Sequence, residues 1–331
     1  MKRPLGLASA LVVLLGVSPA AAQQGQTWQW SSNNVQPPSY SPPQSSHKRT
    51  DLEIGVLYAV SVGYGVGLGV WFSAEVGIDD PGIFLIPPAI LGIAAPIGVY
   101  FLDDPSMPRG LPASMAAGMV IGAGEGIGIA SYQFVTTPEK DAWGFRGLSR
   151  ATALGATLGG IGGYALGYFQ EPEPQNSLFV TSGAMWGAAI GSMFGYGASE
   201  AGIGYGLAND SASLGGLIGY NVGLAGTAAL SAVMIPSWGQ IGWMWAGAGI
   251  GAAVSLPVFL FYAGEDTPPA KRGFLFMGTA VTLGVIAGGF FGSDDEYEIG
   301  RAAPSASDVR ISYVAPLAVQ GGLGIAVGGE L

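Results

Sequence analysis

The chain contains no cysteine and a single histidine among its 331 residues. Without cysteine there is no disulfide framework, no thiolate nucleophile and no acylated first Cys of the lipoprotein kind. The one imidazole, His47, sits beside Lys48 and Arg49 in a polar stretch and reads as a solvated side chain rather than a switch or ligand. Metal clusters draw on Cys and His in number, and a Ser-His or Cys-His pair needs a histidine near the chemistry. The sequence therefore offers no metal ligands, no catalytic residue and no cofactor site. Gly197-Ala198-Ser199-Glu200-Ala201 falls short of a nucleophile elbow, because Ala201 stands where the final glycine belongs. The glycine-rich runs lack the Gly-Lys-Ser/Thr ending of a phosphate-binding loop. No enzyme is expected.

Charge is scarce as well. Only 10% of residues are charged, against roughly 25% in soluble domains, too few to build a water-facing surface. With 49% hydrophobic residues and a mean hydropathy of +0.43, the chain is equally unlike a disordered one, which is poor in apolar residues and rich in charge. The net charge of -10, without basic clusters, makes nucleic acid a poor partner. The lipid bilayer is the expected partner, with a second copy or other envelope proteins beside it.

What the chain has in abundance is glycine, 57 residues of it. Two rows recur at every fourth position, Gly155, Gly159, Gly163, Gly167 and Gly183, Gly187, Gly191, Gly195. On a helix this spacing clears one face and lets another backbone approach closely, the small-xxx-small device of membrane bundles. The rows lie in consecutive apolar segments joined by a short turn, so Gly159 and Gly163 are expected to face Gly187 and Gly191.

Met1-Lys2-Arg3, an apolar run to Val17 and then Ala20-Ala21-Ala22 have the three regions of a secretory signal, predicting residues 1–22 as a signal peptide. A Pro/Gln/Ser-rich linker follows over 23–50, favouring extended structure. A helical membrane domain is expected over 51–292, with apolar segments near 53–78, 83–102, 111–134, 148–169, 178–206, 214–234, 240–263 and 273–292. Most of these reach the ~20 residues that cross a bilayer as a helix. Residues 293–331 open with an acidic polar stretch and end in an alternating run around Gln320-Gly321-Gly322 that reads as a short β-hairpin.

An outer-membrane β-barrel competes with this reading. Gly63, Gly65, Gly67, Gly69 and Gly122, Gly124, Gly126, Gly128 alternate with period two, and a signal peptide suits a barrel. Barrel strands need only ~9–11 residues and alternate apolar with polar, whereas these segments are longer and apolar on both parities. Pro87-Pro88, Pro96 and Pro257 lie within them, where proline would remove a ladder bond but is tolerated in a membrane helix. The balance favours helices, and period-two glycines then clear opposite sides of a helix held between two neighbours. Over Gly122 to Gly128 alone the sequence resembles the glycine-rich inner helix of rotary ATPase membrane-ring subunits, a likeness that the rest of the chain does not extend to a family.

Aromatic, acid and proline recur in order at Tyr100 to Pro105, Tyr168 to Pro172 and Tyr262 to Pro268, which suggests an internal repeat. Eight crossings put Lys140, Arg146, Arg150, Lys271 and Arg272 on one side, in keeping with the positive-inside rule. The acid-proline turns then fall on both sides, so either the last copy is inverted or one segment does not cross.

The candidate polar residues within or near apolar segments are Glu75, Glu125, Glu200 and Asn221. An ionisable group at membrane depth is costly and usually faces a cavity, an ion path or a partner. Glu125, between Gly124 and Gly126, is the sharpest case. The expectation is an integral protein of the bacterial cell envelope, inner or outer membrane undecided, with a structural or assembly role. A channel or transporter working through Glu125 is the alternative.

Overall fold

The computed structural model describes residues 48–199, 207–263, 271–292, 310–319 and 322–330, the last two ranges together with 207–209 and 263 as backbone only. The expected signal peptide, most of the 23–50 linker, Glu200 and the acidic stretch after Gly292 lie outside the described residues. The elements in order are α1 (Asp51–Val76), α2 (Pro81–Phe84), α3 (Ile86–Leu102), α4 (Leu111–Thr136), α5 (Gly144–Gln170), α6 (Pro174–Ala198), α7 (Leu207–Ser231), α8 (Trp238–Ala263), α9 (Arg272–Phe291), β1 (Arg310–Val319) and β2 (Gly322–Glu330). The strands pair antiparallel with a bulge between Ile311 and Tyr313.

Local chemistry sets the helix limits. Thr50 caps α1 by accepting from the Glu53 N–H, and the Glu53 carboxylate accepts from the Thr50 N–H in return, a complete capping box. Gly77 stops the helix at φ 76°, in the left-handed region where glycine bears no Cβ penalty. Asp80 caps the next turn by accepting from Gly82 and Ile83, and Pro81 opens it with a ring already set to helical φ. Pro96 and Pro257 sit inside α3 and α8 without ending either. The barrel alternative fails on these helices: the segments that it needed as strands, period-two glycines included, are helical, and the two-stranded pair is the only sheet among the described residues.

Six helical segments are long and apolar enough to cross a membrane: α1, α2 continued by α3, α4, α6, α8 and α9. They mark the protein as membrane-embedded. The expected eight crossings are thus reduced to six on length and composition, because α5 and α7 have the length without the apolarity. Glycine, threonine and tyrosine dilute the first even where its arginines are left out, and Asn221 with the glycines dilutes the second. The run read as 178–206 also proves shorter: α6 ends at Ala198, while α7 begins at Leu207, several residues before the apolar run at 214. Polar residues can extend a helix beyond the hydrocarbon, which is why α7 starts ahead of its apolar run.

The glycine rows correct a second expectation. Gly155, Gly159, Gly163 and Gly167 lie against α4, where a Cβ would strike the backbone of Gly122, Gly118, Ser114 and Leu111 in turn. Gly183 meets the Thr227 side chain, while Gly187, Gly191 and Gly195 lie against the backbone of Gly219, Gly215 and Ser211 on α7. The two rows do not face each other. Each has found a row of small residues on a different helix, α4 supplying Gly118, Gly122 and Gly126 and α7 supplying Gly215, Gly219 and Gly223. In both pairs the contacts climb one helix by four as they descend the other, so the partners run antiparallel. Gly247 and Gly251 on α8 meet Gly284 and Ala280 on α9 in the same way, and Gly65 and Gly69 on α1 meet Leu91 and Pro88 on α3.

Bulk lies on the outside. Phe101, Phe261 and Phe291 are 80%, 73% and 75% exposed, whereas Ala184 is fully buried. Two compact apolar clusters join the helix pairs, one of Ile54, Leu57, Val99, Ala116 and Met119, the other of Phe179, Trp186 and Ile241. Trp245 stacks obliquely on Trp186 with ring centroids 5.3 Å apart and donates its indole N–H to Ser182 at 3.0 Å, tying α8 to α6. The loop between α4 and α5 is closed by Gln133, which donates to the Asp141 carbonyl at 3.1 Å and accepts from the Trp143 N–H at 2.9 Å.

Candidate functional site

The period-two glycines of α4 explain how a carboxylate comes to sit between helices. Gly118, Gly122 and Gly126 turn toward α5, while Gly124 and Gly128 turn toward α7, where they face Tyr220 and Leu217. A Cβ on Gly124 would lie 2.6 Å from the Tyr220 hydroxyl oxygen. Its absence lets that hydroxyl reach α4 and donate to the Ile121 carbonyl at 2.7 Å. Tyr220 is 8% exposed, so this bond satisfies a group that would otherwise be left bare in an apolar setting.

The next residue on each helix completes the crossing. Asn221 donates its amide N–H to the two oxygens of Glu125 at 3.1 and 3.3 Å, and to the Leu217 carbonyl of its own helix at 3.0 Å. Two of the four candidate residues are thus brought together from helices 96 positions apart. No basic side chain pairs with Glu125 among the described residues. The carboxylate keeps acceptor capacity and lines a groove of about 980 Å3 between α4, α5 and α7, whose walls include Ile129, Leu154, Leu158 and Leu224. Arg146 and Arg150 stand on the same groove.

Glu75 has a different fate. It pairs with Arg150, one guanidinium nitrogen lying 2.7 and 2.9 Å from the two carboxylate oxygens. Arg146 donates from Nε to the Ala74 carbonyl at 3.0 Å. The last turn of α1 carries no basic residue of its own. The two arginines of α5 supply cations where the helix dipole and unsatisfied carbonyls favour them. Glu75 is therefore an inter-helix anchor. Glu200 lies outside the described residues.

Glu53, which is not among the expected candidates, is the most buried carboxylate described, at 3% exposure. Besides its cap on α1 it accepts from the Gly110 N–H at 2.6 Å, just before α4 begins. Gly110 has φ 80° and lies against the Pro172 carbonyl, with no room for a side chain. Around this junction Arg49 pairs with Asp103 at 2.5 Å and Arg109 with Glu173 at 2.9 Å. The acid-proline turns after α3 and α5 thus meet at one end of the bundle. The Thr50-x-x-Glu53 pattern before an apolar run was the sequence signal that could have found Glu53.

Among the described residues no three His, Cys, Asp or Glu side chains are grouped to hold a metal ion. The chain matches no protein-family model, and no curated protein or solved structure matches it.

Proposed function

We propose that this chain is a structural or assembly protein of the bacterial cell envelope, a membrane bundle whose antiparallel helix pairs are held by glycine zippers. The inverted distribution of bulk carries the reading: glycine and alanine fill the contacts between helices, while Phe101, Phe261 and Phe291 point outward. In water such a surface would aggregate, and in lipid it is solvated. On this reading α5 and α7 also cross, sheltered along their glycine faces by α4 and α6. The test is purification from membranes after alkaline extraction, followed by reconstitution. Retention in the bilayer without ion or solute flux agrees with a structural role, and release by alkali overturns it.

A second reading, transport through an intramembrane glutamate, rests on the Glu125 and Asn221 pair in its groove. Flux in proteoliposomes that vanishes with Glu125→Gln while folding is retained would replace the structural reading with this one.

A further inference from the structure

We infer that the groove between α4, α5 and α7 is a binding site for a phospholipid with an anionic headgroup, its phosphate at Arg146 and an acyl chain against Leu154, Leu158 and Leu224. The inference rests on membrane embedding and goes beyond the structural role.

The cationic end carries the argument. Of the two arginines on the groove, Arg150 is neutralised by Glu75. Arg146 has no carboxylate partner among the described residues, and only its Nε is engaged, by the Ala74 carbonyl. That bond fixes the guanidinium plane and leaves the two terminal nitrogens for an acceptor. A phosphodiester supplies oxygens suited to such a fork. Trp143 stands beside it on the same groove, the residue type enriched where hydrocarbon gives way to headgroups.

The length fits too. From Trp143 to Gly159 the groove follows about 24 Å of helix axis, more than the roughly 15 Å of one leaflet's hydrocarbon. One acyl chain can lie along it while the phosphate stays near the membrane surface. The floor is built of Gly118, Gly122 and Gly155, so the chain would rest on backbone rather than between side chains.

The other charges on the groove define the selectivity. Glu125 is placed by the α4 and α5 register opposite Thr152, about 9 Å deeper than Arg146 along the helix axis. There it meets the lipid below its phosphate and is held by Asn221. The whole chain carries a net charge of -10, so attraction for an anionic lipid must be local to Arg146.

The experiment uses the full chain in detergent and reads retained lipid by native mass spectrometry, with thermal unfolding as a check on folding. Phosphatidylglycerol should be retained in preference to phosphatidylcholine of the same acyl chains. Arg146→Gln should weaken phosphatidylglycerol binding about fivefold, as expected for one basic residue at a membrane surface, and Arg146→Lys should keep most of it. Leu154→Trp, which fills the groove, should reduce both lipids. Glu125→Gln removes the negative charge that the lipid meets below its phosphate and should tighten phosphatidylglycerol binding, whereas the transport reading requires that variant to lose its flux, so the two ideas fail separately. Equal retention of both lipids by the wild type, an unaltered preference in Arg146→Gln, or full competition by glycerol phosphate would each overturn the site.

Discussion

The carbonyl of Gly118 occupies the place that a Cβ on Gly159 would take, and the carbonyl of Gly159 occupies the place of a Cβ on Gly118. Neither residue can change without moving the other's backbone. Gly162, one turn away on the same helix, has nothing within 4 Å of its Cβ position.

Leucine at these two positions of α5 should therefore have opposite consequences. Gly159→Leu forces α4 and α5 apart and should cost about 1–3 kcal/mol, the usual range for overpacking. Gly162→Leu should be neutral or slightly stabilising, since glycine within a helix costs about 0.5–1 kcal/mol against a better helix former. Thermal unfolding of the two variants in one detergent separates them, and equal melting points would refute the close contact.

Glu125 and Asn221 should be coupled. Hydrogen bonds between membrane helices average about 0.6 kcal/mol in double-mutant cycles and reach about 1.7. The cycle of Glu125→Ala, Asn221→Ala and both together should give a coupling energy within that range. Additive effects would mean that the contact contributes nothing, and that Glu125 is held by something other than α7.

Glu53 should matter more than its place near a helix end suggests. Glu53→Ala removes both the acceptor for the Thr50 N–H, which is half of the capping box, and the acceptor for Gly110, leaving a backbone N–H unmet at a buried position. A loss of about 1–3 kcal/mol is expected. Glu53→Gln, which keeps an acceptor oxygen, should lose less. If alanine and glutamine behave alike, the carboxylate is not bridging α1 to α4.

Asp104, in the turn after α3, has its carboxyl held below the usual aspartate range, first by the backbone N–H of Ser106 and then by the Ser106 side chain. The native state thus favours the ionised form. Its contribution to the turn is complete above the unfolded-state pKa and disappears as pH falls through the lower, folded one. Carbon-13 titration of labelled aspartate should place Asp104 among the last carboxyls to protonate on acidification. Ser106→Ala should move it only part of the way back, because the larger cause is the backbone donor. A full return to the ordinary value in that variant would assign the effect to the hydroxyl instead.

Much of the helical layout is legible in the amino acids, because apolar runs, prolines and caps act locally. Thr50, Gly77 and Pro81 each act on the turn that contains them. The mating of the glycine rows is not local. Spacing tells which face of α5 is cleared and leaves open which helix fills it, and the mates on α4 were concealed in an alternation that serves α5 and α7 at once. Asn221 likewise drew notice to itself rather than to Gly219 and Gly223 on either side of it, which seat α7 on α6. Glu125 was recognisable from its apolar surroundings, whereas the partner of Glu75 was not, since Arg150 lies 75 positions away.

A row of glycines repeating every four residues has a property that a jigsaw core lacks: it is a rack with identical teeth. Sliding α5 along α4 by one tooth, about 6 Å, would again set most of the glycines against small residues. The teeth therefore hold the helices together without fixing how far along they engage. That task falls to features that do not repeat: Gln133 clamping Asp141 and Trp143 at one end, and Gly110 wedged on Pro172 at the other. The rack confers adhesion, and its two end stops confer position.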